Sequence, residues 1–346
     1  MPLSSFEIFL LRLPDSVNFK LFHTCDILSL IALSKTSRIL GGFFAAYRQR
    51  VWDPDMHYKR WFYDVDYFKS LLRGCGAVVS GSFALQFFGR FFYPSSDMDI
   101  FLRVAGAEDM CSWLLDEGYT YAGDASQYNE LGHNSLLHFP RAVMNKSSFH
   151  DPLLAVYAFH KVKKQANGVE DELRVQVIVV DTDPIQHVLF DFHSIISLVF
   201  VFDVDVTLAA VINFLTADEG YSVFPWATFV ERISYVCRIR QESEARIEGW
   251  TKKYEGRGFL VSGGGSSPNP TLVRGRRFVG DKFTWRISFK GSVDRSEGYY
   301  GPPNTRVWFE VLLSDSGAVR EGCCVRIAEP YVWRTIGKAL KLSGAR

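Results

Sequence analysis

The stretch VVSGSFALQFFGRFFYPSSDMDIFL, residues 78–102, decides how the rest of the chain is read. An apolar run ends in Ser80-Gly81-Ser82, a Phe-rich segment follows, and two aspartates then flank one methionine at the head of a second apolar run. Strand side chains alternate with period two, so Asp97 and Asp99 project to the same face. Carboxylates placed side by side repel each other. Such a pair sits at a solvated edge or neutralises a positive charge, and the cation expected for hard oxygen ligands is Mg²⁺. Gly81 lets the backbone approach a ligand closely, N–H groups at a helix start attract anionic oxygens, and the Ser82 hydroxyl adds a donor. The order of parts is that of a metal and phosphate site.

Composition bounds the classes around that site. The chain has 346 residues, 47% of them hydrophobic, with 39 basic against 38 acidic side chains and a formal charge of +1. This is length for two domains and apolar content for sizeable cores, while the charge balance gives no general case for nucleic acid or an anionic membrane. Cys25, Cys75, Cys111, Cys237, Cys323 and Cys324 form no C-x-x-C pair, which argues against a zinc site or disulfide framework and for the cytosol or nucleus. The N-terminus has no signal-peptide pattern, and the uncharged run Ser194 to Phe202 is far below the ~20 residues a membrane span needs.

Period and punctuation give the organisation. Residues 11–52 carry apolar positions at helical spacing, with Leu13-Pro14-Asp15 at the front, Pro14 expected at a first helical position, and Asp26 as a cap. Strands are expected over 76–80 and 97–104, helices over 83–88 and 107–117, the latter ended by Gly118. LAVYAFHKV and LRVQVIVV flank the polar turn KKQANGVED and predict a hairpin. Asp183-Pro184 opens a helix through Phe192, and TFVERISYVCRIRQESEARIEGWTKKY (228–254) reads as one long, mixed-charge helix. GGGSSPNP (263–270) is a loop, and FTWRISF and RVWFEVLL are strands beyond it.

The block LRLPDSVNFKLFHTCDILSLIALSKTSRILGGFFAAYRQRVW resembles an F-box. The resemblance implies docking on the adaptor subunit of a cullin-RING ubiquitin ligase through apolar side chains, with Leu13, Pro14, Ile27 and Leu28 as partner-binding residues. VVSGS followed by SDMDIFL resembles the nucleotidyltransferase superfamily, the DNA polymerase beta-like fold. That implies Gly81 and Ser82 binding the triphosphate of an NTP, Asp97 and Asp99 as catalytic residues holding Mg²⁺, and nucleotidyl transfer to a hydroxyl acceptor. A wider likeness, through RVQVIVVDTDPIQHVLFDFHS to EGYSVFPWATFVERISY, is to largely uncharacterised fungal proteins joining the two parts. The resulting expectation is an α+β fold: a small all-helical F-box-like unit (10–55), a nucleotidyltransferase-like mixed sheet with helices (65–260) and a β-rich ancillary region (270–346). IISLVFVFDVDVTLAA (195–210) has no counterpart in that likeness, and its length suits a retained short intron or an insertion, against the plainer reading of a genuine buried strand.

One departure bears on activity. The superfamily places a third acidic residue on a later strand, and the matching strand here carries Gln176, a neutral amide and a poorer Mg²⁺ ligand. Asp181 and Asp183 at the strand end are substitutes, with Asp183 also a cap for the Pro184 helix. The alternative is therefore a catalytically degenerate core serving substrate recognition in a ubiquitin ligase. His187 and His193, six residues apart, share no helix face and are set aside. Arg274, Arg276, Arg277, Lys282 and Arg286 suggest a phosphate-backbone contact, against the plainer reading of a solvated strand and turn.

Overall fold

The structure is a computed structural model that describes residues 3–122, 153–164, 168, 170–190, 206–239, 244–262, 272–289, 303, 305–313 and 325–328. It opens with helices α1 (Ser5–Arg12), α2 (Asp15–Thr24), α3 (Ile27–Ser34) and α4 (Arg38–Val51). Each start has a local cause: Ser4 and Glu7 form a reciprocal capping box, the Asp26 carboxylate accepts from Ser29 N, and the Ser37 hydroxyl accepts from Leu40 N. Pro14 sits one place earlier than expected, as the extended residue before α2 (φ −58°, ψ 146°). Short α5 (Pro54–Tyr58) and α6 (Val65–Gly74) lead into the sheet.

Next come β1 (Val78–Ser80), α7 (Gly81–Gly89), β2 (Met98–Arg103), α8 (Ala107–Asp116), β3 (Thr120–Tyr121), β4 (Leu153–Lys164), β5 (Glu170–Val180) and α9 (Pro184–Phe190). They are followed by β6 (Val206–Leu208), β7 (Asn213–Leu215), β8 (Glu219–Ser222), β9 (Ile233–Ile239) and α10 (Glu244–Glu255). The last described strands are β10 (Leu260–Ser262), β11 (Gly275–Phe278), β12 (Trp285–Ser288), β13 (Trp308–Leu313) and β14 (Val325–Ala328). An eight-stranded sheet runs β12-β8-β7-β1-β2-β5-β4-β3, and two three-stranded sheets run β10-β9-β6 and β11-β13-β14. The large sheet is mixed because β2 and β5 are parallel while its other neighbouring strands are antiparallel. The fold is α+β.

Alternation divides the sheet residues between two cores. Met98, Ile100 and Leu102 of β2, with Leu173, Val175, Val177 and Val179 of β5, join the core that also contains Leu10, Leu30, Trp52 and Phe68 of the N-terminal helices. Phe101, Ile178 and Val180 face the other way, against Val188, Phe214 and Tyr235. Asp97, Asp99, Arg174 and Gln176 share that second face at its open end. The pleat places them there, and strand pairing sets Asp99 directly beside Gln176.

The long helix expected over 228–254 does not form. A π-helical turn (Trp226–Val230) is followed by Arg232, whose φ of 57° reverses the chain into β9, and among the described residues of the segment the α-helix is Glu244–Glu255. ISYVCRI is β-branched and aromatic, and it pairs with Leu260–Ser262 on one side and Val206–Leu208 on the other. These partners are distant in sequence, so a local helical period misassigned the segment. β12 pairs with β8 at the edge of the large sheet, Trp285 opposite Ser222. The 195–210 run is described only from Val206, where β6 begins, and Cys323, Cys324, His193 and all of GGGSSPNP lie outside the described residues. Among the described residues, no helix is long and apolar enough to cross a membrane.

Candidate functional site

Helix α7 starts at Gly81 because only a residue that tolerates φ +65° makes the turn out of β1. A second constraint reinforces the first: a Cβ on Gly81 would stand 2.0 Å from Asp99 Oδ2. Ser80, the residue before the helix, turns its hydroxyl away and donates to the Asn213 carbonyl at 2.7 Å, so no side chain caps the α7 N-terminus. Its N–H groups and positive dipole end are left facing the carboxylates.

Asp97 and Asp99 flank buried Met98 and are partly buried themselves. Asp97 has Arg174 Nε at 3.4 Å and Gln176 Nε2 at 3.5 Å. The end of α10 and the turn after it bring in Lys253, Tyr254 and Arg257. Arg257 Nη1 donates to Ser82 Oγ at 3.0 Å, and its guanidinium lies 4.3 Å over the Tyr93 ring and 5.4 Å from that of Tyr254. This is a carboxylate pair ringed by three cations at the head of a helix.

The electrostatics follow from enclosure. Burial pushes the Asp99 carboxyl up to about 7, and the neighbouring Asp97 charge adds to the rise against Lys253 and Arg257. Burial also raises Asp97, opposed by Arg174, Lys253 and Arg257. Lys253 is lowered by its own burial and by Arg257, with Asp99 and Asp97 pulling back. Burial lifts the Tyr254 hydroxyl to about 12. At both carboxylates burial outweighs the nearby cations, and Lys253 is crowded by Arg257.

The four residues read from the sequence, Gly81, Ser82, Asp97 and Asp99, meet at one place, with Gln176 beside them. Asp181 and Asp183 do not join them. They lie five and seven residues beyond Gln176, roughly 16 Å or more along an extended strand, and Asp183 instead accepts from Ile185 N at 3.0 Å and pairs with Arg103 at 3.0 Å. His187 is buried, its ring 5.7 Å from that of Phe101. Arg277 is buried in an ion pair with Asp281 at 2.8 Å, and Arg286 is exposed and pairs with Glu219. Arg274, Arg276 and Lys282 are exposed. Sequence reasoning missed Arg174, Lys253, Arg257 and Tyr93; the only local signal was a Lys253/Arg257 spacing of four, which puts both on one helix side.

Among the described residues no three His, Cys, Asp or Glu side chains gather as a metal-ligating group. The donors at this site are two carboxylates and one amide. Gln176 Oε1 is buried without a hydrogen-bond partner, an orphaned oxygen close to the carboxylate pair. Hard oxygen donors of this kind fit a small divalent cation. No protein-family model matches the chain, and no curated protein or solved structure matches it significantly.

Proposed function

We propose that the chain binds a nucleoside triphosphate with Mg²⁺ between α7, β2 and α10, in a nucleotidyltransferase-like core whose reaction is nucleotidyl transfer to an acceptor hydroxyl. The observation that carries this reading is the uncapped start of α7 at Gly81, in contact with Asp99 and faced by Arg257. Asp97 and Asp99 would hold the metal, which when bound neutralises phosphate charge and makes the α-phosphorus more open to attack. The α7 N–H groups, Lys253 and Arg257 take phosphate oxygens. Ser82 orients Arg257 and donates to the same oxygens. Gln176 accepts no proton at neutral pH, which leaves Asp97 and Asp99 as the proton-accepting groups of the site.

Calorimetric titration of ATP, GTP, CTP and UTP with Mg²⁺ and with chelator tests this. Affinity is expected only with Mg²⁺ and is lost in Asp97→Asn and Asp99→Asn. Equal binding in chelator, or none in Mg²⁺, overturns it.

Outward apolar residues on the helical unit favour a second reading. Phe9 and Leu11 are more than half exposed, and Phe6, Val17, Leu28 and Ile31 are also open to solvent. In this reading the unit is F-box-like and docks on the adaptor of a cullin-RING ubiquitin ligase, while the degenerate core recognises the protein to be modified.

A further inference from the structure

We propose that Gln86 is a positioning residue of the site: its buried amide holds the Tyr93–Ser96 turn on the first turns of α7, so that Asp97, Tyr93 and Arg257 stay aimed at the α7 N-terminus. The proposal rests on the nucleotide-binding reading above.

Connectivity is the first argument. Every residue of α7 is buried, and apart from Ser82 and Gln86 each is apolar or glycine, so packing alone asks for no amide there. Gln86 Nε2 donates to the Ser96 hydroxyl at 2.7 Å and to the Ser82 carbonyl, one turn back along the helix, at 3.1 Å, while Oε1 accepts from Tyr93 N. A backbone N–H on one side and a backbone carbonyl on the other admit one orientation of the amide. The Ser96 hydroxyl donates in turn to the Tyr93 carbonyl at 2.9 Å, which also accepts from Ser96 N at 3.1 Å. The result is a closed ring through Gln86, Ser96 and Tyr93. It is shielded from water, with Gln86 8% and Ser96 6% exposed.

What the ring holds is the second argument. Residues 90–97, between α7 and β2, belong to no helix or strand, so side-chain ties of this kind set their shape. Ser96 immediately precedes Asp97 and fixes where that carboxylate enters β2. Tyr93 carries the Arg257 guanidinium 4.3 Å over its ring, and Arg257 Nη1 donates to Ser82 Oγ at 3.0 Å. Ser82 is thus tied twice, by its carbonyl to Gln86 and by its hydroxyl to Arg257, and a second circuit runs Gln86, Tyr93, Arg257, Ser82. One side chain joins a helix start, a carboxylate and a cation that come from three parts of the chain. The outer side of the turn is held separately, by Arg60 Nη2 on the Pro94 carbonyl at 3.0 Å. With the Gln86 amide removed, the Tyr93 N–H loses its acceptor and regains one by turning toward water, which shifts the turn and Asp97 with it.

The test uses the full chain, ATP and Mg²⁺, with calorimetry for affinity and stoichiometry and thermal melting as the folding control. Gln86→Met keeps the length of the side chain and removes all three of its hydrogen bonds. It is expected to weaken ATP binding in Mg²⁺ about tenfold or more, and to raise the Mg²⁺ concentration at half-effect about threefold or more, at unchanged stoichiometry. A residue that served the fold alone would lower the melting temperature and the stoichiometry and leave both constants of the folded fraction at their wild-type values. That result in Gln86→Met overturns the proposal and leaves the nucleotide reading standing. Ser96→Ala opens the ring on the Asp97 side and should weaken binding about threefold or more, and adding it to Gln86→Met should change affinity by less than about twofold, because both act through one ring. Should Gln86→Met fail to fold, Ser96→Ala decides, since wild-type affinity in that variant refutes the ring. Absence of ATP binding by folded wild type in Mg²⁺ overturns the nucleotide reading and this proposal with it.

Discussion

Asp99 closes on Gly81 so tightly that the glycine has no room for a side chain: a Cβ there would stand 2.0 Å from Oδ2. This contact fixes the α7 N-terminus against the acidic strand and makes Gly81 doubly constrained, by space and by φ +65°. Gly81→Ala should cost about 1–2 kcal/mol for the left-handed backbone and more for the clash. Urea denaturation should give a total of ~3 kcal/mol or above. In the double variant with Asp99→Ala the clash is gone and the backbone cost remains, so a non-additive recovery of 1 kcal/mol or more is expected. A single-variant loss below ~1 kcal/mol is incompatible with this geometry.

The raised Asp99 carboxyl makes stability depend on pH in a defined direction. Its folded value of about 7 lies above the ordinary 3.8, so between those values the folded state holds a proton that the unfolded state has released. The contribution is full below about pH 4 and is lost as pH rises through 7. Asp99→Asn cannot ionise; it should flatten this part of the profile and raise the melting temperature at pH 7.5 by at least ~2 °C. Parallel wild-type and variant profiles from pH 4.5 to 7.5 would count against the burial of this group. Metal–nucleotide binding should release protons near pH 7, visible as a buffer-dependent binding enthalpy.

What was legible in the sequence is the local part of this site. SGS and DMD are contiguous motifs whose backbone demands, a helix start at Gly81 and alternation about Met98, act within a few residues, and both appear where expected. Arg174, Lys253 and Arg257 reach the same point only through a parallel strand pair and a helix more than 150 residues beyond Asp97, information that no local period contains. The error over 228–254 has the same origin. Apolar residues of a short strand mimic a helical stripe, and the strands that settle the matter, β6 and β10, lie outside the window.

Arg90 joins the helical unit to the core. At φ 58° after α7, it donates to the Tyr47 hydroxyl at 2.8 Å and the Cys25 carbonyl at 2.9 Å, while Trp52 donates to the Phe88 carbonyl and packs edge-on against Trp285 at 5.0 Å. One core runs through both parts, so chemical denaturation followed by far-ultraviolet dichroism and tryptophan fluorescence should show coincident transitions. Arg90→Ala should cost ~2 kcal/mol through the lost charged hydrogen bonds. Arg90→Gly loses the same bonds but relieves the left-handed backbone, so it should be milder by about 1 kcal/mol. Equal losses would mean that the backbone is unstrained there.

The ligase-adaptor reading separates residues that the sequence grouped together. Leu13 is partly buried and packs on the core, whereas Leu28 is 41% exposed on α3 beside exposed Ile31. Leu13→Ala should therefore destabilise the fold and affect any partner only indirectly. Leu28→Asp should leave stability within ~0.5 kcal/mol, because it removes little packing, while placing a charge in the middle of the outward apolar surface. Burial of one leucine in an interface is worth about 1.5–3 kcal/mol, so this variant should weaken adaptor binding at least ~10-fold. Purified adaptor and the full chain, measured by calorimetry with thermal melting as the folding control, decide it. Unchanged affinity in a folded Leu28→Asp protein removes α3 from the interface, and no binding by wild type removes the adaptor reading itself.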